Sequence, residues 1–517
     1  MSAFDQFQPS RRSLLAGAAA LGGSFAFGTP AVRAANGVKT LRIAGGAADG
    51  PNSTLDPALT VGSGANQARI TLVYERLVTL DENFSAKPQL AESWSTNDVG
   101  DVWTFKLRPN VTFHDGAPFT AADVLFTFNR ILDPALGSRA VTVLGAVDPA
   151  KIRAVDDHTV EFTLRQPVVE FPLQLTHRLA SIVRQGQTTE QLKTTGIGTG
   201  PFKVERFVPG EDPGIFVRHP GYWQPGRPGV DRVEVRTIPE EAARIAALSY
   251  GQVDIVLELP LVGLQRLEKD ANVKIDTTRS SRWFGLAAFS DTPPFDDVRV
   301  RQALKLAANR EQLLKAVTGG RGVVANDLPV GPWQKFALQT EQRKYDIAAA
   351  KKLLADAGHP NGIDVELHTF NGTGLSELAA AYKAQAEPAG IRINIVTSPS
   401  ADFWTNVWLK KPFVTTSWDA TTVDDALTLS FLSDSKWNES HWYSKAYDQL
   451  IAQARLTVNE EKRAEILARA QALLRDESGT VIPFFVDTIS GSRTNVKGWK
   501  RHPKLESQDF SGITIDG

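Results

Sequence analysis

Two periodicities divide most of the chain. Trp103, Phe105 and Leu107 share one face of an alternating segment, and Val102, Thr104 and Lys106 share the other, which predicts a half-buried strand. Arg108-Pro109-Asn110 turns the chain, Val111 and Phe113 start a second strand, and Asp115-Gly116 turns it again. Thr120 and Asp123 then have capping-box spacing ahead of Val124, Leu125, Phe128 and Ile131. Strands are also predicted at 39–44, 155–164, 232–238, 251–256, 281–289, 365–370, 391–396 and 480–486. Helices are predicted at 55–75, 239–250, 347–357 behind Asp346, 377–389, and 460–475 behind Asn459. The segment 296–314 reads as one amphipathic surface helix. Val298, Ala303, Leu304, Ala307 and Leu314 form its apolar face, with Arg299, Arg301, Lys305 and Arg310 largely opposite. Its two leading acids, Asp296 and Asp297, suit the positive end of the helix dipole. Strands and helices alternate in both halves, which makes the class α/β.

With 517 residues the chain exceeds one simple core, so two or more lobes are expected. A formal charge of −1 gives no global electrostatic case for nucleic acid or an anionic membrane. The absence of cysteine excludes disulfides, thiolate metal sites and a cysteine nucleophile. The eight histidines show no metal-ligand pairing at short spacing, and no G-x-S-x-G, H-E-x-x-H or Walker motif is present. The expectation is binding without catalysis, cofactor or metal.

Residues 1–34 read as a removable export signal. Ser10-Arg11-Arg12-Ser13-Leu14-Leu15 is a twin-arginine signature, a weakly apolar run extends from Leu14 to Phe27, and Val32 and Ala34 precede a cleavage site. The remaining chain has no run of about 18 apolar residues, so a soluble, unanchored periplasmic protein is expected.

Several segments resemble, in order, the peptide/nickel-binding family (family 5) of solute receptors that serve ABC importers. They are Leu55-Asp56-Pro57, Tyr74-Glu75-Arg76-Leu77, the run from Leu107 to Gly116, Gly198-Thr199-Gly200-Pro201-Phe202, Tyr222-Trp223 and Pro294-Phe295 with Asp297, Val298, Arg299 and Ala303. The resemblance spans about Leu41 to Val486 and implies a bilobed periplasmic-binding-protein fold of the Venus-flytrap type with an extra inserted domain. It implies a discontinuous domain I (35–56, 182–281 and 484–517), domain II at 57–181 and domain III at 282–483. It also implies a monomer that closes by a hinge on a small-molecule solute between domains I and III and delivers it to an ABC-transporter membrane permease. A periplasmic sensor presenting the solute to a chemoreceptor or kinase would use the same closure.

Solute chemistry is expected between Phe413 and Trp442. Trp418, Asp419, Thr421, Asp424 and Asp425 are followed there by Trp437, Asn438, His441 and Trp442, and aromatic faces beside carboxylates suit a ligand with a cationic group and an apolar or planar body. In peptide-binding relatives this segment resembles a Gly-Trp followed by spaced aspartates, and the Asp three residues after the Trp holds the peptide's amino group. Here that position is Thr421, the later Asp matches Asp424, and Asp425 replaces a Pro. An uncharged Thr does not replace the ammonium's partner, a part left open to Asp419 or Asp425. The resemblance therefore implies a peptide-like or amino-acid-derived solute without an ordinary free amino terminus. Gly45 and Gly46 complete the candidates because a strand running into glycines often approaches a ligand or a second backbone closely. Trp283, Asn371 and the 327–329 loop join them as strand ends facing the cleft.

Overall fold

The computed structural model describes residues 37–46, 50, 53–60, 64–261, 263–371 and 374–516. The twin-arginine segment lies outside them. Two large sheets centre two lobes. The first sheet orders Val273–Thr278, Thr488–Arg493, Ile255–Val256, Thr40–Gly45, Arg232–Thr237, Gly214–Arg218 and Phe202–Arg206. The second orders Gly322–Val324, Thr480–Val486, Trp283–Ala288, Phe413–Trp418, Ile363–Phe370 and Ile391–Ser398. The chain leaves the first sheet after Thr278, enters the second at Trp283, and returns through Asp487 alone. A separate antiparallel sheet orders Ala91–Thr96, Val102–Leu107, Thr159–Leu164 and Val147–Asp156. Trp103, Phe105 and Leu107 are buried in its own apolar cluster, as the alternation requires.

Local signals placed most helix starts. Asp123 accepts the Thr120 backbone N–H at 2.9 Å. Asp346 and Asn459 accept from Ala349 and Lys462 at 2.9 and 3.0 Å. The predicted 55–75 helix is shorter, at Gly64–Val73. Asp56 instead folds a turn by accepting from the Ala58 N–H at 3.0 Å, and Arg130 reaches across to hold its carboxylate.

The 296–314 segment differs from expectation in two respects. It is two helices, Val298–Leu306 and Arg310–Thr318, because Asn309 caps the second by accepting from the Gln312 N–H. Its cationic face is also only partly a surface: Arg299 is exposed and paired with Asp297, but Arg301, Lys305 and Arg310 are buried. Arg301 donates to the Phe295 and Glu477 carbonyls at 2.8 Å, and Lys305 donates to the Arg475 carbonyl at 2.8 Å. These cations meet the negative end of the Glu460–Glu477 helix. Burial lowers the Lys305 pKa to about 7. Arg310 and Arg343 enclose the fully buried Asp327 at 2.6 and 2.9 Å, so this member of the 327–329 loop belongs to a structural charge network.

Three of the recognised motifs converge on one carboxylate. Buried Glu75 accepts from the Thr199 hydroxyl at 2.9 Å, the Tyr222 hydroxyl at 3.0 Å and the Trp223 indole at 3.0 Å. Burial raises its pKa to about 7, against the pull of those three donors. The Tyr-Glu, Gly-Thr-Gly and Tyr-Trp segments are thus parts of one internal knot.

Candidate functional site

Strand pairing in the second lobe gathers an aromatic edge. Trp283 begins its strand opposite Trp418, which ends the neighbouring one, and Phe485 lies opposite Trp283 on the other side. Side chains directly opposite on one face of a sheet touch. The Trp283 and Trp418 rings are 6.4 Å apart with planes 24° from parallel, and Trp437 follows 6.1 Å from Trp418. Trp283 and Phe485 are buried, whereas Trp437 is 48% exposed.

One carboxylate fixes this edge. Fully buried Glu439 accepts from the Trp418 indole at 2.9 Å, the Trp408 indole at 2.6 Å and the Thr416 hydroxyl at 2.6 Å. Burial raises its pKa, and the three donors oppose the rise. The π-helical turn Phe403–Val407 places Trp404 5.5 Å from Trp408 and 5.6 Å from Phe370, the last residue of its strand. Trp404 is 40% exposed. The indoles Trp404, Trp408, Trp418 and Trp437 therefore form a set whose two outer members meet solvent. Sequence reasoning missed Glu439, Trp404 and Trp408. The signals were a lone acid between Trp437 and Trp442, and two tryptophans four residues apart.

The turn after Trp418 is held by its backbone. The Thr421 N–H donates to the Ser281 hydroxyl at 3.1 Å, and the Thr421 carbonyl accepts from Ser281 and from the Gln334 amide at 3.3 and 3.1 Å. The Thr421 hydroxyl donates to Asp425 at 2.8 Å. Asp424 accepts from Arg455 through both oxygens, at 2.8 and 2.6 Å, so its charge is paired within the protein. The Asp419 side chain is 98% exposed, with Arg282 at 3.8 Å.

Other candidates sit elsewhere. Asn438 donates to the Leu432 and Trp442 carbonyls at 3.3 and 3.0 Å, and Trp442 is buried against Tyr447 at 5.0 Å, so both shape the loop from inside. Asn371 is exposed just beyond the Phe370 strand end. A side chain on Gly45 would meet the Ala65 backbone nitrogen at 2.4 Å, so the close approach there is to a second backbone. Gly46 faces the Arg244 guanidinium instead, at 3.0 Å from the position of an added Cβ. His441 stacks on Phe289 at 3.6 Å and meets Asp291 at 3.1 Å.

Residues 85–440 match the family described as bacterial extracellular solute-binding proteins, family 5, middle. The chain belongs to that family. Glutathione-binding protein GsiB of Escherichia coli K12 is 28% identical over 467 residues, spanning 86% of this chain and 90% of that protein. Heme-binding protein A of Haemophilus influenzae is 28% identical over 500 residues, spanning 89% and 90%. The solved structure of HbpA2 from Haemophilus parasuis superposes with a TM-score of 0.79 at 24% identity, covering 92% of this chain and 100% of that one. The expected bilobed α/β fold is therefore the observed one, and the protein is an extracellular solute-binding protein of the ABC-importer type. The family consists of binding proteins of transport systems, not enzymes. Among the described residues no helix is long and apolar enough to cross a membrane.

Proposed function

We propose that this protein captures a small organic solute between its two lobes and hands it to an ABC-transporter membrane permease. The solute is peptide-like or amino-acid-derived and lacks the free amino terminus of an ordinary peptide. The observation that carries this is the Thr421 turn. No carboxylate stands three residues after Trp418, and the Thr421 hydroxyl is engaged by Asp425. An ammonium at this position would find no carboxylate three residues after the Trp and would meet only Asp425, which already accepts from Thr421. A relative named for heme fits a cargo without a peptide amino terminus.

The aromatic edge at Trp418 and Trp437, backed by the buried Trp283, supplies the contact surface, with Asp419 and Asp425 beside it. Domain I comprises 35–56, 182–281 and 484–517, domain II 57–181 and domain III 282–483, with closure about the crossings at 279–282 and Asp487. Twin-arginine export of residues 1–34 delivers a monomer to the periplasm. The test is mass spectrometry of small molecules released by denaturing protein purified without added ligand. A stoichiometric organic compound without a free α-amino terminus is expected; an ordinary free-amino peptide would overturn the reading of Thr421.

A further inference from the structure

The aspartates of the Thr421 turn are engaged within the protein. Asp424 is paired with Arg455, Asp425 accepts from Thr421, and Asp419 stands beside Arg282. Arg279 is different. It is exposed on the crossing between the two sheets, and its guanidinium lies over the Trp333 ring at 5.2 Å with no carboxylate in ion-pair contact among the described residues. Asp487, on the returning crossing, is the acid nearest in effect. Burial raises its pKa and Arg279 lowers it, but the two form no ion pair.

Three local features fix Arg279 beside the solute-binding turn. Trp333 can lie flat because Gly331 has no side chain; a Cβ there would meet the indole at 2.7 Å. The Trp333 ring packs edge-on against Phe485 at 5.2 Å, continuing the row formed by Trp283, Trp418 and Trp437. Gln334 and Ser281, one residue from Trp333 and two from Arg279, both donate to the Thr421 carbonyl. A stacked guanidinium is weakly hydrated and keeps its N–H groups free for a planar anion.

We propose that Arg279 is the anion-binding end of the solute site, and that the solute is a carboxylate carried on a flat or aromatic body. The ring stacks on the row containing Trp418 and Trp333, and the carboxylate accepts from Arg279. This inference rests on the solute site proposed above and inverts the charge preference that the sequence pattern implied. Stacking supplies affinity; Arg279 selects acids over amines and neutral amides.

The test is a thermal-shift and calorimetric panel of benzoylglycine, indole-3-acetate and cinnamate, with their primary amides and the amines benzylamine and tryptamine. The acids raise the melting temperature by binding the folded form, and the amides and amines do not. Arg279→Gln weakens acid binding more than tenfold, Arg279→Lys weakens it less, and Trp418→Ala weakens it in either background. A panel in which amines or amides bind best, or in which no acid binds at millimolar concentration, overturns the assignment. If Trp418→Ala abolishes binding and Arg279→Gln does not, the solute site stands and the anion role of Arg279 fails. If Trp418→Ala leaves affinity unchanged, the site itself is elsewhere.

Discussion

Glu75 and Glu439 are built alike and placed differently. Each is a fully buried carboxylate in a separate lobe, and each accepts from indole and threonine donors. Burial pushes both pKa values up. Around Glu75 the donors come from two distant segments, and the half-buried Trp223 adjoins a surface depression of about 450 Å³. Nearby cations there are already committed, Arg76 to the Thr176 and Glu506 carbonyls and Arg227 to Asp509. Around Glu439 two of the three donors are indoles whose neighbours Trp404 and Trp437 open to solvent. The same hydrogen-bond chemistry thus locks segments together in one lobe and holds the proposed recognition surface in the other.

The comparison breaks most visibly at Glu75. Glu75→Ala should cost about 3 kcal/mol, because it leaves the Thr199, Tyr222 and Trp223 donors without their acceptor, with affinity per folded molecule unchanged. Urea unfolding and calorimetric titration read the two quantities separately. Glu439→Ala should lose roughly 2 kcal/mol of stability and also more than tenfold in solute affinity, because Trp408 and Trp418 lose their anchor. Unaltered affinity in that variant would make Glu439 a second structural knot.

Proton linkage sharpens the contrast. Glu75 holds its proton more tightly folded, near pH 7, than unfolded, near 4.5. The folded state therefore binds more protons between these values, and stability falls as pH rises through that window, by roughly 1 kcal/mol per pH unit. Denaturant melts of wild type and Glu75→Gln from pH 4.5 to 7 should differ by this slope; the difference isolates Glu75 from the buried His114 and His177, whose lowered pKa values act in the opposite sense. The smallest effect is expected at Asp424. Its pairing with Arg455 keeps it from the solute, so Asp424→Ala should change affinity less than threefold.

Much of the fold was legible because caps and alternation are local. Asp346, Asn459 and the Trp103 strand depend on neighbours within a few residues. The buried cations of 296–314 were not legible, since Arg301 and Lys305 meet carbonyls some 170 residues away, and periodicity cannot show a distant helix terminus. The aromatic edge proposed as the site was legible at Trp418 and Trp283, which end and begin strands. Glu439 was not, because one glutamate in a polar loop looks solvated until the fold brings Trp408 and Thr416 to it. Asp424 drew attention as a free charge, and its partner Arg455 lies a helix away.

The central claim is that the Trp418 edge holds the solute. Native mass spectrometry of wild-type protein and Trp418→Ala, each purified without added ligand, tests it most directly. The account predicts a stoichiometric small molecule on the wild type and its loss from a folded Trp418→Ala variant. Retention of the same molecule at the same occupancy in the variant would contradict it.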